Sequence, residues 1–204
     1  IINSTFVNNA ASGNGGGVYN QGNLTITHAT LSNNSASAAA GALYTATNTV
    51  SLRNSIIANT LTGGNCSGAI GDGGGNIVWG DTTCPGLNAD PKLSALADNG
   101  GPTQTMKLNS DSAAIDAGDS LYCAAADQRG ELRNDYACDS GAFELKATDG
   151  TPEVTVTITE PGAYNIGTTM TKIEHEKPGN LYKLTVTQIE GDDKEAPKEK
   201  LIGT

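Results

Sequence analysis

Aromatic side chains make up only 4% of the 204 residues, with two Phe and one Trp. That excludes a large aromatic core. Acidic residues are missing altogether from the first 71 positions, where Arg53 is the only base and Asp72 the first acid. Glycoside cleavage by paired carboxylates needs two acids roughly 5–10 Å apart, and this stretch of the chain supplies none. Histidine occurs twice, and no two of the four cysteines have Cys-x-x-Cys spacing, which argues against a Cys/His zinc centre. No apolar run approaches the roughly 18 residues of a membrane-spanning helix, and none reads as a signal peptide. Hydrophobic residues reach 37%, below the usual range of about 45–50%. The net charge of −10 disfavours a nucleic-acid backbone as partner.

What the chain does have is glycine, asparagine and a repeat. Asn3-Ser-Thr-Phe6-Val7-Asn8-Asn9 aligns with His28-Ala-Thr-Leu31-Ser32-Asn33-Asn34 and with Asn54-Ser-Ile-Ile57-Ala58-Asn59-Thr60, so Phe6, Leu31 and Ile57 lie 25 and 26 residues apart. Gly17-Val18-Tyr19 aligns with Ala42-Leu43-Tyr44, and Leu24-Thr-Ile26 with Val50-Ser-Leu52. Gly75-Asn76-Ile77-Val78 reads as a further copy of the Gly-Val-Tyr landmark. Short alternating β-runs at this period, with Asn and Gly at the turns, indicate an all-β solenoid with coils of about 25 residues. Phe6, Val18, Ile26, Leu31, Leu43 and Ile57 would stack inside its bore. Asn suits the corners because it tolerates left-handed backbone. A leucine-rich repeat is the main rival, but there is no Leu-x-x-Leu-x-Leu run and no helical segment.

The four cysteines permit three pairings. Local pairing, Cys66 with Cys84 and Cys123 with Cys138, is the simplest and implies an oxidising compartment outside the cytoplasm. Residues 109–145 concentrate the charges that the coils lack, and this stretch is expected to cap the last coil. Residues 1–108 are then the coils with their Gly-rich Cys66–Cys84 loop. Residues 146–204 form a separate unit, expected to be a small antiparallel β-unit with a charged tail. Its alternating runs contain Val154, Val156 and Ile158, then Leu184, Val186 and Ile189.

The middle of the chain also resembles a known family. The residues are Gly63-Gly64-Asn65-Cys66-Ser67-Gly68, Asp90-Pro91, Leu96-Ala-Asp98-Asn-Gly-Gly-Pro102-Thr103, Ala113-Ala-Ile-Asp116-Ala-Gly-Asp119, Asp127-Gln-Arg129-Gly130 with Arg133, and Cys138-Asp139-Ser-Gly141-Ala-Phe143-Glu144. In this order they resemble the choice-of-anchor Q domain of secreted bacterial β-helix proteins, often found beside polymorphic outer-membrane-protein-type repeats. The resemblance covers roughly residues 50–145. It implies a right-handed parallel β-helix, an extracytoplasmic location and the local disulfide pairs, and no known catalytic activity.

Asp116, Asp119, Asp127 and Asp139 are a Ca²⁺ candidate, since hard cations take clustered carboxylates; their spacing is not that of an EF-hand. The competing reading is structural: these acids cap turns, and Asp127 and Glu144 pair with Arg129 and Arg133. His28 reads as a packing or surface residue, and Trp79 as packed beneath the Gly-rich loop. The chain opens at Ile1 in mid-coil, which reads as a trimmed or processed N-terminus. The functional expectation is an extracellular or cell-surface structural protein without enzymatic activity. It would be a homo-oligomer or head-to-tail fibre, joined through solenoid ends and the 154–158 and 184–189 strands. A glycan-binding surface adhesin is the alternative, and a polysaccharide-degrading enzyme the weakest reading.

Overall fold

The computed structural model describes residues 1–133 and 137–146, and the backbone of two later strands, Thr155–Ile158 and Thr185–Gln188. The chain winds as a parallel β-helix of about three turns. The first turn holds β1 (Ile2–Val7), β2 (Ala10–Ala11) and β3 (Val18–Asn20). The second holds β4 (Leu24–Ser32), β5 (Ser35–Ala36) and β6 (Leu43–Thr45), and the third β7 (Val50–Arg53), β8 (Ile56–Ala58) and β9 (Cys66–Ser67). A shorter fourth pass has β10 (Ile70–Asp72) and β11 (Ile77–Val78), and β12 (Leu87–Asn88) adds one more rung in parallel on β11.

Every ladder between turns is parallel and joins the positions that the repeat aligns. Phe6 lies on Leu31 and Leu31 on Ile57. Val18 lies on Leu43, Leu24 on Val50, and Ile26 on Leu52. One alignment changes. Ile77 and Val78 lie on Ile56 and Ile57, so they repeat the Asn-Ser-Ile-Ile landmark, and Cys66-Ser67 takes the position over Leu43-Tyr44. The physical reason is that the fourth pass is shorter: the step from Ile57 to Val78 is 21 residues, where the earlier turns use 25 and 26.

Two columns of left-handed backbone turn the chain. Asn3, His28, Asn54 and Gly75 stack at one corner with φ of 46°, 51°, 44° and 64°. Asn8, Asn33, Asn59 and Gly80 stack at the next, with φ of 57°, 55°, 56° and 104°. Asn dominates because its short side chain bonds locally and so offsets the cost of this region. Between the two corners runs one wall of the solenoid, formed by β1, the second half of β4, β8 and β11.

That wall is buried on both faces. Ala29, Leu31, Ile57 and Val78 point into the bore, packed with Ile26, Leu43, Val50, Leu52, Cys66 and Cys84. Ile56, Ala58 and Ile77 point outward, into a second core with Leu108, Ala114, Phe143 and Leu145. The second core belongs to the later chain. There β13 (Leu93–Ala97) and β14 (Thr105–Leu108) form an antiparallel hairpin, and residues 112–133 and 137–145 pack over the wall.

The far end of the bore is closed by the loop that follows the fourth pass, not by residues 109–145. Asp81 Oδ2 accepts from the Asn65 amide at 2.8 Å, and Thr83 Oγ1 accepts from the Cys66 amide at 2.9 Å. Side chains thus satisfy N–H groups on which another coil would otherwise stack. Burial opposes ionisation of Asp81, but the hydrogen bonds from Thr83 and Asn65 outweigh it and hold its pKa below the usual carboxylate value. The Cys66–Cys84 disulfide fixes this loop, with Cys84 seated in the bore core.

A small antiparallel unit exists, but it is the β13–β14 hairpin. In the later region, β15 (Thr155–Ile158) and β16 (Thr185–Gln188) pair in parallel, Val156 opposite Val186 and Ile158 opposite Gln188. The chain between them exceeds the dozen or so residues that a parallel connection requires. Val154, Leu184 and Ile189 lie outside the described residues. No helix among the described residues is long and apolar enough to cross a membrane.

Candidate functional site

The sequence features converge on the outer face of the doubly buried wall, where residues 112–133 and 137–145 form a clasp. The clasp reaches every turn. Asn3 Nδ2 donates to the Ala126 carbonyl at 2.7 Å, and Thr5 Oγ1 donates to Gln128 Oε1 at 2.7 Å. Thr30 Oγ1 accepts from the Ala142 amide at 3.0 Å, and the Gly141 amide donates to the Asn54 carbonyl at 2.8 Å. Ser140 Oγ donates to the Gly75 carbonyl at 2.6 Å. The outward column Thr5–Thr30–Ile56–Ile77 explains the division of labour. Its first two members hold the clasp by hydroxyls, and its last two by apolar burial. Residues 109–145 therefore run along the flank and do not cap an end.

The corner column Asn3–His28–Asn54–Gly75 is the rail on which the clasp docks. Asn54 reads it reciprocally: Oδ1 accepts from the Asp119 amide at 2.7 Å, and Nδ2 donates to the Asp119 carbonyl at 3.1 Å. Next to it Gly75 has no room for a side chain, since a Cβ there would sit 2.1 Å from Asn54 Oδ1. His28 is fully buried. Its Nε2 faces two donors, the Ala124 amide at 3.3 Å and Asn54 Nδ2 at 3.2 Å, and one acceptor, the Tyr122 carbonyl at 3.2 Å. Burial, reinforced by the positive charge of Arg133, lowers the His28 pKa to about 4.

The Cys123–Cys138 disulfide ties the two passes of the clasp together, with Cys138 Sγ 3.8 Å from His28 Nε2. Asp127, Arg129, Arg133, Asp139 and Glu144 point inward. Asp127 bonds Arg129 at 2.8 Å and also accepts from the amides of Arg129, Glu131 and Glu144. The Arg129 guanidinium lies 3.6 Å above the Phe143 ring centroid. Arg133 pairs with Glu144 and donates to the carbonyls of Asp139 and Gly141. Both side chains of this second pair are within 1% of complete burial.

The four aspartates proposed for Ca²⁺ do not gather into a cage. Asp139 accepts from the amides of Asp116 and Leu145. Asp119 caps the short 3₁₀ turn Ser120–Tyr122 through the Leu121 amide, and Asp127 serves Arg129. The carboxylates of Asp119, Asp127 and Asp139 are each drawn to backbone N–H groups in a different part of the clasp. The group of metal-ligating atoms found among the described residues is instead His28, Cys123 and Cys138, within 4.8 Å of one another. Trp79 is partly exposed, not covered by the Gly-rich loop.

Sequence reasoning passed over His28 and the docking wall. The signal for His28 was its place in the Asn3–Asn54 column. The signal for the wall was Ile56-Ile57-Ala58 and Ile77-Val78, apolar at both parities, as strands buried on two faces are. The chain matches no known family model, and no curated protein or solved structure is detectably similar to it.

Proposed function

We propose that the chain is an extracellular structural β-helix module, without enzymatic activity, of the choice-of-anchor Q kind. The observation that carries this reading is the direction of its charges. Asp127, Asp139 and Glu144 are buried and bonded to arginines or backbone amides of the clasp. A polysaccharide-cleaving β-helix needs its carboxylates or cations facing an open groove. The two disulfides support an oxidising compartment. The proposed assembly is a fibre of copies joined by strand addition. Electron microscopy and size-exclusion chromatography of the secreted protein test the assembly, for which elongated oligomers are expected. A strictly monomeric native protein removes the fibre and leaves the structural module. Release of reducing ends or unsaturated products from acidic polysaccharides would overturn the non-enzymatic reading.

One observation favours a glycan-binding adhesin as the second reading. Tyr19, exposed, stacks at 5.3 Å on half-buried Tyr44, and Asn20 lies beside them, bonded at 3.1 Å to the buried Thr45 hydroxyl. Aromatic rings next to amides and hydroxyls suit sugar recognition. Retention of the monomer on a glycan array, lost on Tyr19→Ala, would support it.

A further inference from the structure

We propose that reduction of the Cys123–Cys138 disulfide converts the centre of the clasp into a Zn²⁺ site formed by both sulfurs and His28. The metal then replaces the disulfide as the clasp's staple.

The geometry is already close to that of such a site. Three ligating atoms lie within 4.8 Å of one another. Cys138 Sγ is 3.8 Å from His28 Nε2, against about 3.6 Å for S and N on a tetrahedral zinc with Zn–S near 2.3 Å and Zn–N near 2.1 Å. Nε2 is the ring nitrogen nearest Cys138 Sγ, and a metal there would displace its present contacts with the Ala124 amide, Asn54 Nδ2 and the Tyr122 carbonyl. The ring is held by the left-handed corner of the solenoid, and the sulfurs by opposite passes of the clasp. A metal bound there would join the same three segments that the disulfide and the hydrogen bonds join now.

The surroundings suit a soft divalent cation. Two thiolates and an imidazole match zinc and exclude calcium or magnesium on ligand type. The carbonyl of Asp119 lies 3.6 Å from Cys123 Sγ, and that of Tyr122 lies 3.2 Å from His28 Nε2. One of these, or a water entering on the less buried Cys123 side, completes four-coordination. His28 and Cys138 are at most 2% exposed, so the remaining shell is dry.

The chemistry balances in two steps. The S–S bond takes two electrons and two protons from a thiol reductant, which is itself oxidised to a disulfide, and leaves two cysteine thiols. Zn²⁺ then forms two Zn–S bonds and one Zn–N bond, and both thiol protons pass to solvent. Opening the disulfide lets the sulfurs separate to about 3.8 Å, the distance across a tetrahedral zinc, by side-chain rotation.

The test uses the full chain, reduced anaerobically with a water-soluble phosphine (oxidised to its oxide with oxygen from water), then freed of reductant. Circular dichroism confirms that the β-fold persists. Zn²⁺ affinity is read by competition with a chromophoric chelator, and Co²⁺ reports thiolate ligation by its charge-transfer absorption. The expected result is one zinc per chain, bound at least 100-fold more tightly than by the oxidised protein. His28→Asn preserves the left-handed corner, as Asn3 and Asn54 do, and should weaken binding at least ten-fold. The Cys123→Ser/Cys138→Ser variant retains the other cysteine pair and should bind no better than the oxidised chain. Equal affinity in the reduced wild type and that double variant would overturn the proposal, as would an unchanged affinity in His28→Asn. Should either variant fail to fold, alkylation of the reduced wild-type chain decides. Zn²⁺ should slow modification of Cys123 and Cys138 at least ten-fold while leaving Cys66 and Cys84 unprotected, and no such slowing refutes the site.

Discussion

Lowering the pH from 7 to 4 should weaken the fold through His28. In the unfolded chain this imidazole binds a proton below its ordinary pKa of 6.5, whereas in the folded protein it does so only below about 4. Between those values the unfolded state holds more protons, so stability rises with pH across the window. The contribution is fully present above pH 6.5, falls as the pH drops, and is exhausted below pH 4. The difference of 2.5 pH units, at 1.36 kcal/mol each, amounts to about 3 kcal/mol. The cause is structural. Burial strips the charged ring of water, and the positive charge of Arg133 adds to the cost, together outweighing the backbone hydrogen bonds that favour the proton. The assay is urea unfolding of wild type and His28→Asn at pH 7, 6, 5 and 4. The variant should start about 1–3 kcal/mol less stable, because it leaves the Ala124 amide poorly satisfied. Carboxylates common to both chains cancel in the comparison. Wild type should therefore lose about 3 kcal/mol more than the variant between pH 7 and 4. Parallel pH profiles for the two chains would refute the assignment of His28 as a buried neutral base.

Three further outcomes follow from the clasp and the closed end. Arg133→Ala leaves Glu144 buried beside an empty space, and should cost about 3–5 kcal/mol in chemical denaturation; a loss below 1 kcal/mol would mean that the pair is open to water. Cys66→Ser with Cys84→Ser frees a loop of 18 residues' separation and should cost about 3 kcal/mol, with faster amide exchange first at Cys66 and Ser67. Gly75→Ala places a Cβ 2.1 Å from Asn54 Oδ1 and 2.6 Å from the Asp119 amide. It should expose residues 119–142 to limited proteolysis while the Phe6–Leu31–Ile57 ladder stays protected, and uniform protection of both would contradict the docking geometry.

Much of the coil structure was legible because a solenoid writes its contacts at one sequence distance. Phe6, Leu31 and Ile57 are partners in space for the same reason that they align. The fourth pass was misread because its period contracts. Ile77-Val78 was matched to the wrong landmark, and only the register with Ile56-Ile57 corrects it. The disulfides were legible as local pairs. The clasp was misplaced for a different reason. Its contacts with His28 span 94 and 96 residues, and no periodicity encodes a separation used once.

The sequence by itself determined the all-β solenoid, its coil length, its bore residues and its asparagine corners, since these follow from local conformational preference and a repeated apolar pattern. Only the tertiary structure decided what residues 109–145 do. Ile56 and Ile77 leave an apolar strip on the outer face of one wall, and a returning segment with Phe143 and Leu145 buries it. That burial draws the Asn3–His28–Asn54–Gly75 column under the clasp. It turns a row of corner residues into a docking rail, and sets a neutral histidine beside a disulfide.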